Sequence, residues 1–146
     1  VKTVEAGEIC SEQVEKEKAR ILAPTKRSGG IEWKELHNGL CRVMQYFVSE
    51  FKNETMLNMA LDEIKRIEEN AVPNLYALDP HKLMRSLEDL NLIEHAKIII
   101  NAIKERKLTN RALGMDRLDY PENDPEDAKN YLAVSLGENG IRGSCG

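Results

Sequence analysis

The residues best equipped for chemistry lie late in the chain, in RLDYPENDPEDAKNYL, residues 117 to 132. Arg117, Asp119 and Tyr120 bring a planar cation, a counter-charge and an aromatic ring close together, and Pro121 stiffens the turn that follows. A guanidinium meets a carboxylate through parallel N–H···O bonds, so this set suits clamping or docking. Proton transfer would need a second titrating group placed beside the first, and the sequence offers none there. Two readings stay open. Either Arg117 holds a helix C-terminus within the chain, or the motif, with Arg111 upstream, faces another domain or subunit.

The other reactive residue types are scattered. Cys10, Cys41 and Cys145 have no C-x-x-C spacing, which fits free thiols in a reducing, cytoplasmic setting. Cys41 falls beside an apolar helix face and is expected as a small core residue. His37, His81 and His95 belong to no Glu-x-x-His pair, so the helical di-metal carboxylate pattern is absent. The chain holds no G-x-S-x-G, P-loop or G-x-G-x-x-G motif. KERK at 104–107 closes a long helical stretch, where cations complement the negative helix end. No catalytic residue, cofactor or metal ligand is therefore assigned to this chain.

Composition narrows the class further. A chain of 146 residues is enough for one domain. A net charge of -4 argues against nucleic-acid binding, which favours a basic face. No apolar run approaches the ~18 residues of a membrane span, and VKTVEAGEIC shows no signal-peptide core. The missing initiator Met fits either cleavage or excision from a longer chain.

The elements that must position these residues read as amphipathic helices. Residues 8–22 form a charged leading helix with a thin stripe of Cys10, Val14 and Ile21, ended by Pro24 and PTKRSGG. Residues 1–30 are therefore a leading helix and linker, and 31–146 a bundle with a C-terminal extension. In 31–51, Trp33, Leu36, Leu40, Val43, Met44, Phe47 and Phe51 recur at spacings of three and four. Asn53 offers an N-cap to a second helix carrying Leu57, Ala60, Leu61, Ile64 and Ile67. Asp79-Pro80 starts a third, running to about residue 107 and about 40 Å long, with its outer end overhanging its shorter predecessors. On it, Ile98, Ile99 and Ile100 span about 200° of helix circumference. That is wider than one bundle face needs, so another part of this chain or another surface should cover them. Asp124-Pro125 repeats the start signal, predicting a short helix over PEDAKNYLAVSL, and GENGIRGSCG reads as a frayed end.

Four stretches together resemble the C-terminal helical region of the fumarate reductase/succinate dehydrogenase flavoprotein family, which includes L-aspartate oxidase and the alpha subunit of adenylylsulfate reductase. EQVEKEKARILAPTKRSGGIEWKEL is similar to the passage leaving the flavin domain. LCRVMQYFVSEFKNETMLNMALDEI resembles the first two bundle helices, with Lys52-Asn53 where members carry a pair like Arg-Asn or Arg-Ser. LEDLNLIEHAKIIINAI resembles the long third helix, and RLDYPENDPEDAKNYL the Arg-x-Asp-Tyr-Pro ending. The likeness covers most of residues 8 to 132. It departs in TNRALGMD, where many members have Ser-Arg-Gly and then His; Arg111 stands for the earlier Arg only.

The resemblance implies an all-α fold: a three-helix up-down bundle, spectrin-repeat-like, with a leading helix and a short C-terminal helix after an irregular loop. It implies a structural and interaction domain of an FAD-dependent oxidoreductase subunit, with the FAD and substrate sites upstream and no cofactor here. Its partners would be the flavin and capping domains and an iron–sulfur subunit, with a membrane met only through the parent complex. Interface candidates are Arg111, Arg117, Asp119, Tyr120, Ile98 and Ile99. The isolated domain would be prone to self-association. The alternative is a freestanding helical adaptor.

Overall fold

The computed structural model describes residues 10–122, 132–137 and 140–145. Four helices carry the fold: α1 (Ser11–Leu22), α2 (Trp33–Phe47), α3 (Glu54–Asn70) and α4 (Pro80–Glu105). Two short strands, β1 (Phe51–Lys52) and β2 (Asp116–Arg117), pair in parallel. Strands β3 (Leu132–Gly137) and β4 (Gly140–Cys145) form an antiparallel hairpin. The expected all-α bundle is present, with these small additions.

The three long helices pack against one another pairwise. Lys82 near the start of α4 pairs with Glu32 just before α2, while Lys97 and Lys104 further along α4 reach Glu68 and Glu54 of α3. Thus α2 and α4 run together and α3 opposes both, an up-down-up order. Between them lie Leu36, Leu40 and Val43 from α2, Leu57, Ala60 and Ile64 from α3, and Ile93, Ala96 and Ile100 from α4. Each fully buried leucine or isoleucine contributes about 1.5–3 kcal/mol of transfer free energy. The overhang expected of α4 does not occur at its C-terminus. Ile100 is fully buried, the Ile103 carbonyl is hydrogen-bonded within the chain, and Lys104 reaches Glu54 at the start of α3.

Local chemistry sets the helix starts. Asn53 accepts the Met56 N–H at 2.9 Å and Asp79 the Lys82 N–H at 2.8 Å, as their residue types predict. Glu32 and Glu35 form a reciprocal capping box ahead of α2. Helix α2 stops at Phe47 rather than running to 51. The backbone of residues 50–52 is instead claimed by β2: Asp116 N–H donates to Glu50 C=O at 2.9 Å and Leu118 N–H to Lys52 C=O at 2.8 Å. Phe51 leaves the core face in consequence and is 54% exposed.

The C-terminal helix is corrected. Of PEDAKNYLAVSL, residues 125–131 lie outside the described residues, and Leu132–Gly137 is a strand. It pairs with Gly140–Cys145, so the segment read as frayed is its partner, in a register from Leu132↔Cys145 to Gly137↔Gly140. The alternation in LAVSLG and the Asn139-Gly140 pair carry that signal, while the Asp124-Pro125 start motif points to a helix over the same residues. The hairpin packs on α4.

The leading helix α1 is present and buries none of its 12 residues. Its ion pairs, Lys18–Glu15 and Arg20–Glu17, are internal to it. Beyond it, at the end of the bundle away from β1 and β2, the Pro24 carbonyl accepts the Ala77 N–H at 3.0 Å and Ile31 bridges Leu75 in parallel. Ile31 N–H donates to Asn74 C=O at 2.8 Å and Tyr76 N–H to Ile31 C=O at 3.1 Å. Gly30 permits this with a φ of 140°: a Cβ there would lie 2.2 Å from the Asn74 oxygen.

Candidate functional site: an arginine clamp

The groups singled out in RLDYP meet where α2 ends, α3 begins and α4 ends. Arg117 sits in β2, and β2 is in register with β1, Lys52 opposite Arg117. Its side chain is fully buried, a costly place for a cation unless its donors find acceptors. Each of its three nitrogens does. Nε and Nη2 donate to the two oxygens of Asp119, each at 2.8 Å. Nη1 donates to the Ile103 carbonyl at 2.6 Å, and Nη2 also approaches Glu54 at 3.2 Å. The Tyr120 ring lies 5.0 Å from the guanidinium, within cation–π range.

Two of these groups close helix ends. The Ile103 carbonyl belongs to the last turn of α4, which lacks an intrahelical donor. Asp119 Oδ2 accepts the Glu54 N–H at 2.8 Å, the first N–H of α3. One Arg–Asp pair thus joins the C-terminus of α4 to the N-terminus of α3, with cation and anion each at the end its dipole favours. Thr109, also buried, completes the turn: its hydroxyl accepts the Arg117 N–H at 2.8 Å and donates to the Tyr120 carbonyl at 2.8 Å.

The electrostatics follow. The Arg117 hydrogen bond, helped by the Glu54 N–H, lowers the Asp119 pKa to about 2 against the opposing effect of burial. Burial works against the Arg117 cation, yet Asp119 and Glu54 keep its pKa raised. Lys52 is buried beside it, donating to its neighbour's carbonyl, Glu50 C=O, at 2.9 Å. Burial first, and then the Arg117 charge, lower its pKa.

The predicted site residues therefore divide. Arg117, Asp119 and Tyr120 are brought together, and their arrangement is that of a clamp. Arg111 lies at the edge, its Nε 3.5 Å from Asp116 and its side chain mostly exposed. Ile98 and Ile99 are on α4, 43% and 47% exposed. Lys52, Glu54 and Thr109 were not singled out as members of this site. Their signal is long-range, since Glu54 and Asp119 are 65 residues apart.

Away from the clamp, His37 Nδ1 lies 2.8 Å from Asp89 Oδ1 across the α2–α4 seam. Asp89 is buried, and its Oδ2 has no hydrogen-bond partner. Cys41, expected in the core, is exposed one turn further along α2, because the seam leaves a groove of about 290 Å³ there, lined by His37, Met44, Leu92, His95 and Ile99. A second cleft, of about 610 Å³, lies between the turn after α1 and the α3–α4 pair. On its lining Arg20 pairs with Glu17, and Arg27 Nη1 donates to the Ala23 and Leu75 carbonyls. Among the described residues no cluster of His, Cys, Asp and Glu is placed to hold a metal ion, and no helix is long and apolar enough to cross a membrane.

No protein-family model and no curated protein matches the chain. Solved structures do match it in fold. A chain of the Mycobacterium smegmatis Sdh1 complex in the apo form superposes with a TM-score of 0.74 at 20% identity, over 99% of this chain and 25% of that one. The same organism's Sdh1 in complex with UQ1 gives a TM-score of 0.73 at 20% identity, over 95% of this chain and 24% of that one. The chain thus spans about a quarter of the length of the solved chains it resembles.

Proposed function

We propose that the chain is the C-terminal helical domain of a flavoprotein subunit of the succinate dehydrogenase/fumarate reductase type, a structural brace rather than the seat of catalysis. The observation that carries this reading is the fold match: nearly the whole chain superposes on a quarter of a chain from a succinate dehydrogenase complex. That size relation fits a domain within a larger flavoprotein. The clamp supports it, because its groups are consumed in joining helix ends and leave none poised for reaction. Helix α1 supports it too. Isolated helices of about 12–15 residues are marginal in water, and α1 buries none of its residues here. It gains a place when other domains pack beside it.

In this reading FAD and the substrate are held by other parts of the parent polypeptide. An iron–sulfur subunit is a further partner, and the membrane is met only through that assembly. The test is the polypeptide that carries these residues in its native cells. A much larger, yellow protein is the expected result. A colourless protein of 16.6 kDa would sink the reading, as would tight stoichiometric FAD binding by the isolated chain.

A further inference from the structure

The cleft between the turn after α1 and the α3–α4 pair takes no part in the clamp. Its volume of about 610 Å³ lies in the range of small-molecule sites. The floor is apolar, made by Val72, Leu75, Leu90 and Ile93, and Leu75 and Ile93 belong to the buried core. Charged side chains flank that floor: Arg20 and Arg27 from α1 and the turn after it, Glu68 and Glu94 from α3 and α4.

These four are not equally satisfied. Arg20 is neutralised by Glu17, which accepts from both its Nε and its Nη2. Arg27 is held differently. Its Nη1 donates to the Ala23 carbonyl at 3.2 Å and to the Leu75 carbonyl at 3.0 Å. Both acceptors are neutral, so the half-buried side chain is fixed in place while its charge stays uncompensated. Its Nε and Nη2 have no acceptor among the described residues. That edge of a guanidinium is a fork, able to hold a carboxylate through two parallel bonds. On the facing side Glu68 and Glu94 both accept from Lys97, at 2.7 and 2.8 Å. Two carboxylates share one ammonium there, and Lys97 is not on the lining. Counted with its ion-pair partners, the cleft therefore carries an excess positive charge at Arg27, an excess negative charge at Glu68 and Glu94, and apolar surface between them.

We infer that this cleft binds a small zwitterion whose carboxylate and ammonium are separated by an apolar body. The carboxylate meets the Arg27 fork, the body lies on Val72 and Leu90, and the ammonium faces Glu68 and Glu94. A dicarboxylate would set its second charge against those acids, and a simple apolar carboxylate would leave them unanswered. Arg27 is already ordered by its two carbonyls, which lowers the entropy lost on binding. The site is built from these residues alone and does not depend on the reading of the chain as a flavoprotein domain.

The test is a calorimetric titration of the polypeptide, as its cells make it, with 6-aminohexanoate. Hexanoate and hexylamine are the singly charged controls. The expected dissociation constant is about 1 mM, within the ceiling for so small a ligand. Each control should bind about threefold more weakly or worse, the scale of an exposed charge pair. Arg27→Gln should weaken 6-aminohexanoate by about tenfold, the scale of a hydrogen bond to a charged group. Asn91 is exposed on the rim, and Asn91→Trp should abolish binding by filling the cleft, in a chain whose Arg27 contacts are untouched. Glu94→Gln keeps the Lys97–Glu68 pair and should bring 6-aminohexanoate to the level of hexanoate. No heat of binding at about 10 mM ligand, binding that survives Asn91→Trp, or hexanoate bound as tightly as the zwitterion would each overturn the inference.

Discussion

At the clamp end of the bundle a fully buried guanidinium ties the last turn of α4 to the first N–H of α3 through Asp119. At the opposite end the same kind of task falls to Glu32, a partly exposed carboxylate. It caps α2, and it accepts hydrogen bonds from the Tyr76 hydroxyl at 3.0 Å and from Lys82. Both ends also use a short parallel backbone pairing, Ile31↔Leu75 at one and Phe51–Lys52 with Asp116–Arg117 at the other. The difference is water. Removing one partner of a buried pair strands the other in a low-dielectric site, whereas an exposed pair hands its partner back to solvent. The clamp should therefore behave as an essential strut, and the Glu32 hub as an adjustable one.

Arg117→Met puts the contrast under the largest strain. It leaves Asp119 with its Glu54 N–H but without the cation, and the Ile103 carbonyl without a donor. The expected loss is about 3–5 kcal/mol in urea unfolding, the range for a broken buried ion pair. Arg117→Lys should recover only part of this, because an ammonium cannot serve Asp119 through a fork and reach Ile103 as well. A loss below about 1 kcal/mol for the Met variant would show the clamp to be no stronger than a surface pair.

The second break is at the far end and acts through the backbone. Gly30→Ala should cost about 1–3 kcal/mol or more, since the left-handed φ of 140° is combined with a Cβ 2.2 Å from the Asn74 oxygen. Gly114→Ala is the control: its φ is 62°, but nothing lies within 4 Å of the added carbon. It should cost about 1 kcal/mol. Equal losses in the two variants, measured by denaturant midpoint, would mean that the Ile31–Asn74 pairing adds nothing to the strength of that end.

How these ends read from sequence differs in the same way. Asn53 and Asp79 were legible as caps because a cap acts over three residues, within reach of local pattern. The core faces of α2, α3 and α4 were legible because helical spacing repeats. The types in the clamp were legible as well: Arg117, Asp119 and Tyr120 stood out together. Their partners did not. Thr109 and Glu54 carry no local mark, and Phe51 looked like one more core position until the backbone beside it was taken by β2. The same limit explains Cys41, whose exposure depends on how α4 lies beside α2. The β3–β4 hairpin differs: its alternation and Asn139-Gly140 are local signals, but Asp124-Pro125 upstream is a competing local signal for a helix.

Acid should sharpen the comparison with a smaller effect. Asp119 has its pKa lowered to about 2 in the folded chain from an ordinary 3.8. A carboxyl depressed on folding stabilises the fold at pH values above its unfolded pKa and loses that contribution as pH falls through the folded one. The wild-type chain should therefore lose stability between about pH 4 and pH 2 more steeply than Asp119→Asn, whose residue 119 no longer titrates. Matching slopes for the two proteins across that window, by unfolding at each pH, would mean that the Arg117–Asp119 bond is as strong in the unfolded chain as in the folded one.

The smallest expected change is at the Glu32 hub, and salt is its signature. Hydrogen bonds from Lys82 first and Tyr76 second lower the Glu32 pKa, while the pairing with Glu32 raises that of Lys82. Both groups meet solvent, so ions screen their attraction. Lys82→Gln should shift the unfolding midpoint only slightly at low ionic strength, and the shift should vanish near ~1 M salt, where the screening length falls to about 3 Å. Arg117→Met should lose nearly the same stability at both ionic strengths, because salt does not enter a site with no exposed guanidinium. A Lys82 effect that persists at high salt would place this pair with the clamp. The two ends would then differ in composition but not in kind.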